Sequence, residues 1–347
     1  MAVEPAAPIT VKHYPIRPDW LDRNIEPILE PDLPIIDTHH HLWDRPDIKY
    51  LLPDMVADIA TGHNVKATVY LEANAMYRAD GPQHMRPVGE TEFVNGVAAM
   101  SASGNYGPAR ICAGIVGFAD LMLGAAAEEV LLAHIAAGNG RFRGVRGQAH
   151  WDPSGLSVGT RRPIQGMMLD KKFREGFAKL APLGLTYDAW QFHPQLPELA
   201  DLARAFPDTT IIVNHVGAPL AIGPYAGKRA EVFAKWKPAI QDLGRCPNVV
   251  MKLGGLGTAM AGFDLYTLPE PPTSQDLVKL WGPYIETCIE AFGADRCMFE
   301  SNFPPDKQSC SYPVLWNSYK RMVAGASADE KKAMFSGTAA RVYRIEV

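Results

Sequence analysis

Short apolar runs alternate along most of this chain with longer segments whose apolar positions have helical spacing. Runs of this length indicate buried strands, and strands that alternate with helices indicate a parallel sheet. Eight such units favour closure into a barrel over an open doubly wound sheet. The predicted strands begin at Ile35 and then cover 66–72, 111–118, 142–148, 184–190, 209–215, 248–255 and 296–304.

The intervening helices follow from the 3.6-residue period, and each connects one strand to the next. Thr91 is positioned to cap the first of them. The predicted helices cover 91–103, 125–137, 169–180, 196–206, 228–243 and 275–292. Two loops, 74–89 and 257–272, are long enough to act as lids that set specificity.

The two ends of the chain depart from this alternation. Residues 1–33 carry many prolines and are predicted to form an extended arm lying on the barrel, with Trp20 as its anchor and only the first several residues loose. Residues 34–347 are predicted to form the barrel domain. Its last helices, near 314–323 and 328–335, and a final turn over 337–345 are expected to pack on the outside.

Composition excludes several functional classes. A hydrophobic content of 47% supports a full core, and a net charge of −4 gives no electrostatic footprint for nucleic acid. No apolar run approaches about 20 residues, so we expect no membrane span, and the N-terminus lacks the features of a signal peptide. The 5 cysteines form no C-x-x-C pair, which indicates reduced thiols in a cytoplasmic protein. No glycine-rich nucleotide motif is present, so no organic cofactor is expected.

The first predicted strand ends in a cluster of polar residues, Asp37-Thr38-His39-His40-His41. A period of two places Asp37, His39 and His41 on one face of an extended segment. Two imidazoles two residues apart on such a segment can converge on one metal ion. The cluster therefore predicts a reactive or metal-binding site instead of an incidental polar turn.

The pattern Asp-x-His-x-His-x-Trp-Asp at 37–44 resembles the opening motif of the amidohydrolase superfamily. More narrowly, it is similar to the amidohydrolase-related metal-dependent hydrolases, which include sugar lactonases and 2-pyrone-4,6-dicarboxylate lactonase. The resemblance spans roughly residues 34–345. It implies an α/β fold, a (β/α)8 TIM barrel, with chemistry at the C-terminal ends of the strands.

Polar residues fall at those strand ends. His215 lies in an Asn-His-x-Gly segment that matches the family's sixth strand, whereas His193 corresponds to the family's fifth-strand histidine only loosely and is predicted either to contact substrate or to bind metal. The resemblance implies that His39, His41 and His215 surround the reactive water, through zinc or manganese if an ion is present. The predicted substrate-binding residues are Glu72, Arg146, Asp188, His193 and Lys252.

Two cations stand out within that set. Arg146 is similar to the family arginines that hold substrate carboxylates, and Arg143, three residues earlier, is predicted to point to the opposite face. The alternative for either arginine is a structural pair with a neighbouring carboxylate. Lys252 lies in an apolar strand, where an unpaired ammonium would be costly. It is predicted either to hold an anionic substrate or to pair with Glu72 or Glu300.

The last strand departs from the family, whose usual ending is Gly-Ser-Asp-[Trp/Phe]-Pro with the Asp as general base. Here Asn302 occupies the Asp position, and an amide cannot accept a proton near neutral pH. Three accounts are open: Glu300 supplies the carboxylate, Asp188 or Asp306 supplies it from elsewhere on the rim, or the enzyme works without that base.

The residues and the resemblance together predict a hydrolase that opens a small carboxylated lactone or similar cyclic ester. Glu300 would take the water proton, and Asn302 would donate a hydrogen bond to the developing oxyanion. The alternatives are a metal-dependent decarboxylase or hydratase and a non-catalytic ligand-binding barrel. The expected partner is a small anionic substrate, and a homodimer is an expectation from the family alone.

Overall fold

The computed structural model describes residues 11, 13–159, 161 and 163–346. Eight strands pair in parallel in chain order, and a short antiparallel hairpin follows the first of them. The strands are β1 (Ile35–His40), β2 (Trp43–Asp44), β3 (Lys49–Tyr50), β4 (Val65–Leu71), β5 (Arg110–Gly117), β6 (Phe142–Gln148), β7 (Thr186–Trp190), β8 (Ile211–Val213), β9 (Val249–Leu253) and β10 (Cys297–Phe299). The hairpin consists of β2 and β3. It was not predicted, because its strands have only two residues each.

The sheet closes where β1 meets the segment after β10. The backbone N–H of His41 donates to the carbonyl of Phe303 at 2.8 Å, and that of Asn302 donates to the carbonyl of His39 at 2.8 Å. The Thr38 hydroxyl donates to the carbonyl of Phe299, also at 2.8 Å. These bonds bring the two ends of the sheet together and confirm the predicted (β/α)8 barrel.

Helices surround the barrel and cover the outward faces of its strands. They are α1 (Pro18–Leu21), α2 (Leu52–Ile59), α3 (Val88–Ala102), α4 (Ala127–Ala137), α5 (Lys171–Phe177), α6 (Leu196–Ala205), α7 (Arg229–Gly244), α8 (Ser274–Phe292), α9 (Tyr312–Met322), α10 (Ala328–Lys332) and α11 (Thr338–Tyr343). The predicted cap at Thr91 is wrong. Helix α3 begins a turn earlier, after Pro87, and the Thr91 hydroxyl instead lies 2.8 Å from Nδ1 of His134 in α4. In the described part of the chain, no helix combines the length and apolar character needed to span a bilayer.

Apolar side chains from several strands form a buried layer inside the barrel, including Ile36, Val69 and Ile212. The C-terminal helix α11 contributes to this layer, because Val342 and Tyr343 pack against those strand residues. The prediction that 337–345 packs on the outside of the barrel is therefore wrong, because α11 covers the inner apolar cluster. Arg143, at the start of β6, donates to the carbonyl of Tyr343. Its side chain therefore lies at the end of the barrel where α11 packs.

The N-terminal arm runs along the rim of the barrel. Val11 N–H donates to the carbonyl of Ser157 at 3.0 Å, and Trp20 Nε1 donates to the carbonyl of Pro269 at 3.1 Å. Between them, the Tyr14 ring stacks on Tyr266 with 3.7 Å between the ring centroids. The predicted loose extreme N-terminus falls on residues 1–10, outside the described residues.

Candidate active site

The end of β1 is irregular, and this irregularity decides which side chains face the barrel interior. Ile36 packs in the inner layer, and a register shift follows between Asp37 and His40. Asp37 accepts hydrogen bonds from the Ser301 N–H at 2.9 Å and from the Tyr312 hydroxyl of α9 at 3.1 Å. The prediction that Asp37 shares a face with the histidines is therefore wrong, because a bulge breaks the period of two.

His39, His215 and Glu300 form the buried centre of the site. One oxygen of Glu300 accepts the ring Nδ1–H of His215 at 2.7 Å and its backbone N–H at 3.1 Å. The other oxygen lies 2.7 Å from Nδ1 of His39, and this contact is electrostatic and not a hydrogen bond. The His39 and His215 rings are 4.6 Å apart between centroids. Glu300 thus contacts the Nδ1 atom of each of the two rings.

His41 is held in the same way by a backbone oxygen. Its Nδ1 lies 2.8 Å from the carbonyl of Leu71, so Nδ1 carries the proton and Nε2 presents a lone pair. That Nε2 lies 3.3 Å from Nε2 of His39. Burial lowers the pKa of His39 and of His41 well below the ordinary value, and Lys252 and Arg146 respectively add to that effect. Both imidazoles are therefore neutral at pH 7.

Arg146 is tied to Glu72. Its Nε donates to a carboxylate oxygen of Glu72 at 2.8 Å, and its Nη1 lies 3.3 Å from Nε2 of His39. Arg161 donates to the second oxygen of Glu72 at 3.1 Å. Burial alone would raise the pKa of Glu72, but Arg161 and Arg146 outweigh it and hold the pKa at about 2. Glu72 is thus an ionised anchor for the two arginines.

Lys252 and Asp188 lie beneath the histidines, fully buried. Lys252 Nζ is 2.8 Å from an oxygen of Asp188, a partner that differs from the predicted Glu72 and Glu300. The same carboxylate accepts from Nδ2 of Asn214 at 3.0 Å and from the Tyr343 hydroxyl at 3.0 Å. Burial lowers the pKa of Lys252, and Asp188 opposes that shift. Neither side chain reaches the pocket surface.

Asn302 and Asp306 form a second buried pair at the end of β10. Nδ2 of Asn302 donates to an oxygen of Asp306 at 2.7 Å, and the backbone N–H of Gly257 donates to the other oxygen at 2.9 Å. Burial raises the pKa of Asp306 to about 8 despite these hydrogen bonds. Asn302 lines the pocket, whereas Asp306 supports it from behind.

His193 lies away from the cluster. Its Nδ1 accepts from the backbone N–H of Leu220 at 3.3 Å, and its ring packs 5.1 Å from that of Tyr225. It lines a separate cavity with Asp152 and Lys228. Its predicted role in substrate or metal binding stays a prediction.

A cavity of about 90 Å³ opens above the histidines. Two of the predicted site histidines, His41 and His215, line it together with Arg146 and Asn302. Several further lining residues were not predicted as site residues: His13, Trp43, Arg45, Asn74, Gln148, Trp190, Thr258 and Met260. Asn74, Thr258 and Met260 lie in the two loops predicted as lids.

Two glycines make the close packing around Glu300 possible. A Cβ on Gly255, whose φ is +72°, would lie 2.2 Å from Nδ1 of His215. A Cβ on Gly254 would lie 2.6 Å from Cγ of Glu300. Both positions therefore require glycine if the His215–Glu300 contact is to form.

The donor set fits a divalent cation. Nε2 of His39 and Nε2 of His41 are 3.3 Å apart, close to the roughly 3.3–3.4 Å between two nitrogens that lie about 2.0–2.1 Å from one tetrahedral zinc. Judged by distance alone, His39, His215 and Glu300 are a second candidate set of metal ligands among the described residues. Their donor atoms lie within 4.8 Å of one another. The two Glu300 oxygens already face the Nδ1 atoms of the two rings. A carboxylate behind ligating histidines is a usual arrangement at metal sites.

Comparison with known proteins places these features in a family. A family model described as amidohydrolase matches residues 36–345. An uncharacterized protein of Sinorhizobium fredii is 33% identical over 336 residues, which cover 90% of this chain and 99% of that protein. An L-fucono-1,5-lactonase of Burkholderia multivorans is 28% identical over 324 residues, covering 89% of this chain and 96% of the lactonase.

A solved structure of an amidohydrolase from Burkholderia multivorans, with zinc bound, is also similar. It is 25% identical, has a TM-score of 0.70, and the match covers 90% of this chain and 99% of that one. The family match extends over the whole barrel and includes the histidines at the end of β1. The chain therefore belongs to the amidohydrolase family and is a hydrolase.

Proposed function

We propose that this hydrolase opens the ring of a small lactone that carries a carboxylate. The observation that carries the proposal is the arrangement of three imidazoles whose Nδ1 atoms all face oxygen acceptors. Glu300 lies against His39 and His215, and the carbonyl of Leu71 lies against His41. The Nε2 atoms of His41 and His215 are then available to act on water and on the substrate carbonyl, whereas that of His39 also lies 3.3 Å from Nη1 of Arg146.

His39, His41 and His215 would hold a divalent ion, zinc or manganese, in this arrangement. The bound ion supplies Lewis-acid activation of water and of the carbonyl. The chain contributes neutral rings, because burial and the neighbouring cations disfavour protonation of His39 and His41. The Glu300 carboxylate, which lies against the His39 and His215 rings, would offset the positive charge of an ion held by those rings.

Glu300 is fully buried and lies behind the rings, away from the pocket surface. A water proton would reach it through the His215 ring, which donates Nδ1–H to it. If no ion is bound, His215 Nε2 takes the water proton and Glu300 stabilises the imidazolium, as in other carboxylate–histidine pairs. Glu300 is therefore proposed as a positioning residue in both cases.

Two groups on the pocket wall are suited to the carbonyl oxygen. Asn302 uses one amide hydrogen on Asp306 and keeps the second for the developing oxyanion. Arg146 is fixed by Glu72 and presents Nη1 beside His39. Water then adds to the carbonyl carbon, the ring C–O bond breaks, and the products are a carboxylate, a hydroxyl group and one released proton.

Product analysis tests this proposal. Purified protein is incubated with 2-pyrone-4,6-dicarboxylate and with L-fucono-1,5-lactone, and proton release and carbon dioxide are measured together. We expect proton release and an open-chain hydroxy acid, without carbon dioxide. Carbon dioxide from a carboxylated substrate would instead establish a decarboxylase, and tight binding without turnover would indicate a non-catalytic barrel.

A further inference from the structure

Part of the pocket wall comes from the N-terminal arm and from the hairpin after β1. His13 lines the cavity although it lies in the N-terminal arm, and the family match begins only at residue 36. Trp43 and Arg45, from the hairpin after β1, line the same side. These three residues are here called the mouth cluster, and its Trp43 stacks on His41 with 5.8 Å between the ring centroids.

The arm is fixed on both sides of His13. Before it, the Val11 N–H donates to the carbonyl of Ser157 at 3.0 Å. After it, the Tyr14 N–H donates to the side-chain oxygen of Gln308 at 2.7 Å. The His13 ring itself lies 4.9 Å from the ring of Trp43, measured between centroids. The His13 imidazole is thus held at the pocket by its packing against Trp43 and by the hydrogen bonds that fix the arm before and after it.

Arg45 is the cation of the mouth cluster that no carboxylate neutralises. Its guanidinium carbon lies 4.1 Å from the centroid of the Trp43 ring, and Nη2 donates to the carbonyl of Ala73 at 2.8 Å. No ion pair of Arg45 occurs among the described residues, whereas Arg146 deeper in the pocket is paired with Glu72. Burial lowers the pKa of Arg45, and the fields of exposed Asp47 and of buried Glu90 and Glu72 oppose that shift without forming an ion pair with it.

The wall chemistry around Arg45 suits an anionic group. The carboxylates near the site, Glu72, Asp188, Glu300 and Asp306, are all fully buried and do not line the cavity. Burial and Arg45 lower the pKa of His13 to about 4, so its ring is neutral and can donate one hydrogen bond beside the guanidinium. A planar guanidinium stacked on an indole presents its outer N–H groups to a carboxylate in a fixed orientation.

We propose that His13 and Arg45, supported by Trp43, form a subsite that binds a carboxylate of the substrate at the pocket mouth and so determine specificity. This inference rests on the proposed lactone hydrolysis for its kinetic test. It assigns the N-terminal arm a part in substrate recognition.

The test compares His13→Ala and Arg45→Gln with the wild type on 2-pyrone-4,6-dicarboxylate and the neutral L-fucono-1,5-lactone. Arg23→Gln is the matched control, because Arg23 lies on the same arm in an exposed pair with Glu270. Both subsite variants should lower the ratio of kcat/KM for the dicarboxylate to that for the neutral lactone at least tenfold, mainly through KM. The control should leave the ratio within twofold. An unchanged ratio in the subsite variants would overturn the subsite.

A failure of the proposed function can be told apart from a failure of the subsite. If the wild type does not open one or both lactones, binding of 2-pyrone-4,6-dicarboxylate is measured by titration calorimetry on the same four proteins. Binding to the wild type that weakens at least tenfold in both subsite variants supports the subsite. No binding to the wild type, or equal binding to all four proteins, overturns it.

Discussion

The amide of Asn302 donates a 2.7 Å hydrogen bond to the buried carboxyl of Asp306, four residues further along the chain. Asn302 replaces the aspartate that ends the last barrel strand in the resembling family. A carboxyl group is therefore still present near this strand end. It belongs to Asp306 and lies behind the pocket wall, where burial raises its pKa to about 8.

The pKa of Asp306 makes stability depend on pH. The unfolded chain ionises this group near 3.8 and the folded chain near 8, so the folded state binds more protons between those values. Stability therefore falls as pH rises from about 4 to about 8. Asp306→Asn should flatten this slope, measured by urea unfolding at pH 5 and pH 8, although it costs stability at both. An unchanged slope would show that Asp306 does not titrate in this range.

Lys252 and Asp188 form a buried ion pair whose single disruption should be costly. Lys252→Met should lower the free energy of unfolding by about 3–5 kcal/mol, because it leaves the Asp188 charge buried. The double variant Lys252→Met/Asp188→Asn should recover part of that loss. Lys279→Met is the control, since its pair with Asp276 is exposed and is worth below about 1 kcal/mol. Additive losses in the double variant would contradict the pairing.

Gly255 allows His215 to reach Glu300. Gly255→Ala should reduce kcat at least about 100-fold, because the added Cβ would lie 2.2 Å from the His215 ring and must displace it. Gly184→Ala is the matched control. It has a similar positive φ of +64° but open space around it, so only a stability cost of about 1 kcal/mol is expected. Equal activity of the two variants would argue against the role of His215.

Glu300 is expected to tune metal binding without ligating the ion. Glu300→Gln should weaken zinc affinity about 10–100-fold, because the carboxylate behind the His39 and His215 rings is lost. Activity should partly return at saturating zinc. Glu128→Gln serves as control, because Glu128 is a half-buried residue of α4 that pairs with Lys179 away from the site. A variant that cannot be loaded at any zinc concentration would indicate direct ligation.

Much of the barrel follows from the sequence because local periodicity reports burial. The alternation of strands and helices, and the placement of His39, His41 and His215 at strand ends, need only the 2-residue and 3.6-residue periods. The β1 bulge that turns Asp37 outward is not visible in that pattern, since a bulge adds one residue without changing composition.

The sequence alone could not predict contacts that depend on how distant segments are aligned in the folded chain. Lys252 meets Asp188, 64 positions earlier, because two strands that do not pair directly point their side chains to the barrel axis at one height. Arg161 reaches Glu72 from an irregular segment with no periodic signal. His13 appears as an ordinary loop histidine until the path of the arm is known.

The central claim is that the imidazoles of His39, His41 and His215 bind a divalent ion that activates water for lactone opening. It is tested most directly by measuring the metal content of the untagged protein by elemental mass spectrometry, with lactone hydrolysis before and after a chelator. We predict about one zinc or manganese per chain, loss of activity on chelation, and recovery with one equivalent of the ion. Full activity in metal-free protein would contradict the claim and assign proton transfer to the Glu300–His215 pair.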